Sequence, residues 1–270
     1  MKKWISVALA IVILFGGAGA MQVQGAETPG WIDKTRVDQG AIRINYDVKT
    51  NIKTKLLIAK GEGKYTYTLT PGPKGEGETF PLQMGNGEYT VSLLEQIKGT
   101  TYRLVHKDTV KLQLQDEKQV FLHSTQNVNW EPDGRAATIA NELTQNAVGT
   151  EEKVQIIYDY VISTLKYDDS LAFSATSSYL PDLDRTLTQK KDICYGFSSL
   201  FAAMLRSVGI PAKLAMGTSD YVNTYHAWNE VYVNGRWVTI DTTADAGWKG
   251  TTTAFTMIKD PAKYKADKEY

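Results

Sequence analysis

Residues 187–217 read LTQKKDICYGFSSLFAAMLRSVGIPAKLAMG and contain Cys194, the only cysteine of the 270-residue chain. Phe197, Phe201, Met204 and Val208 recur at helical spacing, and Leu200 and Leu205 widen the stripe. Gly209 stops this helix and Pro211 follows the stop, where proline is common. The thiol therefore sits at the start of a buried helix, in the positive end of its macrodipole, where thiolate is favoured over thiol. A lone thiol can form no internal disulfide, so it is either a small hydrophobe in a core or a reactive group.

Downstream, the strand-like runs 212–216, 227–233 and 237–240 follow, and Asn234-Gly235 between the last two is a two-residue hairpin signal. Pairing across that turn brings His226 and Asp241 to the same open end of the hairpin, within reach of each other. The sheet must cover the apolar stripe of the Cys194 helix, so sulfur, imidazole and carboxylate can meet. Thiol acyl transfer needs these three groups: a thiolate, a base that takes and returns its proton, and a group that orients the base.

Upstream, Ala136, Ile139, Ala140, Leu143 and Ala147 mark one helix. Val154, Ile157, Tyr158, Val161 and Leu165 mark a second, with Thr150 as its expected N-cap and Glu151 and Glu152 in its first turn. Residues 167–184, rich in Ser, Asp and Tyr, read as a loop. Helices followed by an antiparallel sheet make residues 126–270 an α+β domain. Residues 27–125 instead alternate with period two at 41–48, 55–59, 88–94, 102–106 and 110–114. Turn clusters such as Gly85-Asn86-Gly87 separate these runs. They predict an all-β sandwich of immunoglobulin or fibronectin type III style.

The first 26 residues carry a basic start (Lys2, Lys3), an apolar run from Ile5 to Phe15 and small residues after it. This is the pattern of a secretory signal peptide, with cleavage after Ala20 or Ala26. The run is short of the roughly 20 residues of a membrane span, so the expectation is an exported protein, secreted or held in the cell envelope. A formal net charge of zero with dispersed signs gives no electrostatic case for nucleic acid.

The motifs Cys194-Tyr195-Gly196-Phe197-Ser198-Ser199-Leu200-Phe201, Gly209-Ile210-Pro211, His226-Ala227-Trp228-Asn229 and Gly235-x-Trp237 leading to Ile240-Asp241 occur in order. Together they resemble the transglutaminase-like superfamily, here in the form of an exported bacterial member. The resemblance implies a papain-like core and a Cys194, His226, Asp241 triad acting as nucleophile, base and orienting group. The implied chemistry is acyl transfer or hydrolysis at protein or peptide amides through a thioester, with no metal or organic cofactor. Many relatives have glycine where this chain has Asp192. A carboxylate there could cap the helix, and its charge would oppose thiolate formation. The alternative is thus a catalytically silent module for binding or assembly in the envelope. Asp245 is a nearby substitute for Asp241, and no side chain, Tyr179 included, is assigned as a second oxyanion donor.

Other motifs have plainer readings. Gly61-Glu62-Gly63-Lys64 lacks the first glycine of a phosphate loop, and Tyr65 replaces its hydroxyl residue. His106 and His123 lack metal-ligand spacing. Asp168 with Asp169, and Asp182 with Asp184, read as turn carboxylates rather than a glycosidase pair. Ser198 and Ser199 lack the frame of a serine hydrolase, and the lysine-rich end from Lys259 reads as a solvated terminus.

Overall fold

The computed structural model describes residues 30–72 and 77–270, with Val12–Leu14 as backbone only. The leader expected over residues 1–26 otherwise lies outside the described residues. The chain divides into two compact units, Met1–Glu117 and Lys118–Tyr270. The division falls ahead of the expected 125/126 because residues 118–128 pack into the second unit. Phe121 meets the Trp237 ring edge-on at 5.6 Å, and the Lys118 ammonium sits 4.7 Å from the centre of Tyr232.

The first unit is built from strands. They are β1 (Val12–Leu14), β2 (Ile32–Asp33), β3 (Ala41–Ile44), β4 (Thr54–Lys60), β5 (Gly63–Leu69), β6 (Glu78–Pro81), β7 (Gly87–Lys98) and β8 (Thr101–Leu112). One sheet runs β1-β8-β7-β4-β5 and the other β2-β3-β6. Period-two patterning gives each sheet one apolar face. Ile42 and Phe80 of the small sheet, and Leu56, Ile58, Val91 and Leu93 of the large one, are fully buried. Tyr67 of β5 packs on Phe80 of β6 with ring centres 4.8 Å apart, so the two sheets share this core.

The second unit opens with helices α1 (Arg135–Thr144) and α2 (Thr150–Thr164), strand β9 (Lys166–Tyr167), and short helices α3 (Asp169–Ser174) and α4 (Leu183–Gln189). Strand β10 (Lys191–Asp192) leads into α5 (Cys194–Ser207), followed by β11 (Ala212–Ser219), β12 (Val222–Val233), β13 (Arg236–Ile240), α6 (Thr242–Trp248), β14 (Ile258–Lys259) and β15 (Tyr264–Glu269). The main sheet has the order β14-β13-β12-β11-β15 with every pairing antiparallel. The unit is α+β. Helix α5 is its centre: Phe197, Leu200, Phe201, Met204 and Leu205 are all fully buried, against Val231 of β12 and Leu214 of β11 among others. Each buried apolar side chain of this size contributes on the order of 1.5–3 kcal/mol.

Local signals explain most boundaries. Gly209 takes φ 80°, which closes α5, and Ile210 N–H bonds back to the Leu205 carbonyl at 3.0 Å. Asn234 and Gly235 both have positive φ, as a two-residue hairpin turn needs, and set Val233 opposite Arg236. The structure corrects three expectations and adds to a fourth. Gly149, not Thr150, is the N-cap of α2, and α1 ends before Ala147. The segment 167–184, read as a loop, holds α3 and the first two residues of α4, and the N-caps Asp168 and Asp182 accept from Leu171 and Arg185 N–H at 3.0 Å. The lysine-rich end is exposed along much of its length, as at Lys265, Ala266 and Asp267, and it is also ordered as β15, paired along β11. Gly217 permits that approach, since a Cβ there would lie 2.0 Å from the Lys265 carbonyl oxygen.

Candidate active site

Cys194 is the first residue of α5 and stays partly exposed. Ile193, extended and without a capping side chain, precedes it. The first turn of α5 therefore directs its amide dipoles at the sulfur with no side-chain oxygen in competition.

Asp192 does not cap the helix. Its fully buried carboxylate accepts from Tyr179 Oη at 2.7 Å, Arg185 Nη2 at 2.7 Å, Thr186 Oγ1 at 2.5 Å and the Ile193 N–H at 2.8 Å. The Arg185 guanidinium neutralises the charge that the sequence suggested would oppose the thiolate. Gly196 is the residue that makes room for it, because a Cβ there would lie 2.1 Å from Asp192 Cγ. Tyr179 is committed to Asp192 and stacks edge-on against Tyr195 at 6.0 Å. Tyr195 in turn accepts from Asn127 Nδ2 at 2.7 Å. This lattice of part-buried polar groups, built on the buried Asp192, fixes the entry of α5.

His226 and Asp241 come from neighbouring strands. The β12–β13 ladder runs from Val233↔Arg236 to Asn229↔Ile240, so Asp241 stands one residue past its end, beside the strand that carries His226. His226 Nε2–H donates to Asp241 Oδ2 at 2.8 Å, with both side chains buried. The other carboxylate oxygen, Oδ1, caps α6 by accepting from Ala244 N–H at 3.0 Å. The Cys194 sulfur lies near the same imidazole. Burial pulls the His226 pKa down. The hydrogen bond to Asp241 and the negative charges of Asp241 and the sulfur outweigh that and hold it at about 10. An imidazolium is thus kept beside the sulfur. Close by, burial and the sulfur's charge push the Tyr167 phenol up to about 12.

Asp245, the substitute considered for Asp241, is occupied elsewhere: it is buried, accepts from Tyr158 Oη at 2.7 Å and pairs with Lys259 Nζ. Two further contacts escaped the sequence. Tyr264 Oη donates to Asp241 Oδ2 at 3.0 Å, and Arg185 pairs with Asp192. Tyr264 lies in the lysine-rich end, whose charge pattern gives no sign of a site residue, and nothing in the spacing of Arg185 marks its partner.

Residues 137–242 fit the family model of the transglutaminase-like superfamily. The second unit belongs to that superfamily. Among curated relatives, this transglutaminase-like chain is 30% identical over 131 residues to mouse (Mus musculus) kyphoscoliosis peptidase, an alignment covering 44% of this chain and 20% of that protein. It is 26% identical over 215 residues to the uncharacterized protein YebA of Bacillus subtilis, covering 71% of this chain and 27% of that one. The chain thus spans between a fifth and about a quarter of the length of these relatives. Among solved structures, the periplasmic domain of TgpA from Pseudomonas aeruginosa aligns over 82% of this chain and 96% of its own, at 12% identity and a TM-score of 0.38.

Proposed function

We propose that the second unit is a cysteine enzyme acting on protein or peptide amides, with Cys194 as nucleophile, His226 as base and acid, and Asp241 as the group that orients the imidazole. The observation that carries this reading is one ring placed between two groups: His226 bonds Asp241 and stands near Cys194, while the sulfur keeps access to solvent. The Cys194 thiolate attacks the amide carbon, and a carbon–sulfur bond forms. The His226 imidazolium gives its proton to the departing amine as the carbon–nitrogen bond breaks, leaving a thioester. Water, or a second amine, then attacks the thioester, loses its proton to His226 and releases the thiolate. The Cys194 amide at the helix start is the natural donor to the oxyanion.

The word peptidase in the name of the mouse relative supports hydrolysis over cross-linking. No metal or organic cofactor has a step in this chemistry. Asp192 supported a silent binding module only through its charge, and Arg185 offsets that charge. The first unit is proposed to be an immunoglobulin- or fibronectin-type sandwich that positions a protein or peptide substrate, or an envelope partner. Export is proposed from the leader-like residues 1–26, and no nucleic-acid partner is proposed. Among the described residues no helix is long and apolar enough to cross a membrane.

Iodoacetamide tests the thiol. Wild-type protein is expected to be alkylated at Cys194 well below pH 8.5, the ordinary thiol value. Cys194→Ala is expected to lose all turnover of a peptide-amide panel while keeping its melting profile. A thiol that reacts only on unfolding would refute the enzyme reading.

A further inference from the structure

Asp241 Oδ2 accepts two hydrogen bonds, from His226 Nε2 at 2.8 Å and from Tyr264 Oη at 3.0 Å. With Ala244 N–H on Oδ1, three donors satisfy a carboxylate that has no solvent exposure. The tyrosine is also held by its ring. Tyr264 lies 5.0 Å from Trp228 and 5.6 Å from Tyr221, and Trp228 stacks over the His226 imidazole at 6.3 Å. One side chain therefore touches the carboxylate through its hydroxyl and backs the imidazole through the indole.

From this geometry we propose that Tyr264 is a positioning residue of the His226–Asp241 pair, whose hydroxyl shares the carboxylate oxygen with the imidazole and limits how strongly that oxygen holds the imidazole proton. The inference rests on the triad reading above, because its consequence for turnover follows from His226 returning a proton. A carboxylate with fewer donors is more basic and grips the imidazolium harder. A more tightly held proton is a poorer acid toward the departing amine. Tyr264 thus keeps the imidazolium acidic enough to finish the acylation step.

The charged and titratable groups around this pair come from several elements, among them Tyr167 of β9 beside Cys194. Cys194 faces it from α5, and Asp245 of α6 is near it, itself bonded by Tyr158 of α2 and Lys259 of β14. Tyr221 approaches from the β11–β12 turn. None of these donates a hydrogen bond to Asp241 Oδ2 among the described residues, so the Tyr264 hydroxyl is separable from them.

The experiment compares wild type with Tyr264→Phe, which keeps the ring, and with Tyr264→Leu, which loses ring and hydroxyl together. The primary readout is the His226 imidazole titration followed by nitrogen-15 NMR on the full chain. In Tyr264→Phe it is expected to move up by about one pH unit, the scale of one hydrogen bond to a charged group. The second readout is peptide-amide turnover, expected to fall about tenfold in kcat at unchanged KM, while the acid limb of Cys194 alkylation stays in place. A His226 titration in Tyr264→Phe identical to wild type overturns the proposal. So does a shift in Tyr264→Leu alone, which would assign the effect to packing. If the titration moves but wild type has no Cys194-dependent turnover, the positioning contact stands and the triad reading fails.

Discussion

At the residue scale, the least ordinary group is the His226 ring. Burial alone would lower its pKa, yet Asp241 and the nearby Cys194 sulfur hold it at about 10, above the ordinary 6.5. The folded chain thus binds a proton more tightly here than the unfolded chain does. Its contribution to stability is complete below about pH 6.5 and is lost as pH rises through about 10. Urea titrations across this window are expected to show wild-type stability declining with pH. In His226→Phe, which cannot titrate, the decline is smaller. Parallel pH profiles for the two proteins would remove the ion pair from the account, whatever the enzyme does. Asp192 shows the complementary lesson. Its charge looked like an obstacle to catalysis, and it is instead a fully buried anchor for Arg185, Tyr179 and Thr186.

At the element scale, α5 carries both the core and the thiol, and Gly196 links the two roles. Alanine is the better helix former by about 1 kcal/mol, so propensity alone says that Gly196→Ala stabilises. Packing says otherwise, because the new methyl would sit 2.1 Å from Asp192 Cγ, and that carboxylate is tied by four hydrogen bonds. Overpacking of this kind costs about 1–3 kcal/mol. Thermal melts of Gly196→Ala are expected to show net destabilisation and a slower Cys194 alkylation, and a raised melting temperature would refute the packing argument. The sequence revealed α5, its glycine stop and the Asn234-Gly235 turn because apolar period and turn chemistry are local. It revealed the His226–Asp241 meeting because hairpin pairing is arithmetic about a known turn. It hid α3 and α4, which are short and polar. It also hid β15, whose pairing along β11 depends on a glycine about fifty residues earlier. Polar contacts such as Arg185 to Asp192 leave no periodic trace.

At the scale of the whole molecule, the chain holds two cores of different kinds, and each should answer to its own mutation. Phe80 closes the core shared by the two sheets of the first unit, whereas Phe201 lies in the middle of α5, packed edge-on against Tyr158 at 6.5 Å. Both rings are fully buried, so truncation to alanine removes a full aromatic from each core and costs about 3–5 kcal/mol. Amide hydrogen exchange along α5 during a urea titration follows the unfolding of the second unit, and circular dichroism in the strand region follows both units. Phe201→Ala is expected to shift the α5 exchange transition to lower urea. Phe80→Ala is expected to leave that transition in place and shift a strand signal instead. If Phe80→Ala moved the α5 transition as far as Phe201→Ala does, the two cores would be one cooperative system. The residues around Cys194 would then depend on the first unit for their stability, and the division at residues 117–118 would describe contacts without describing folding.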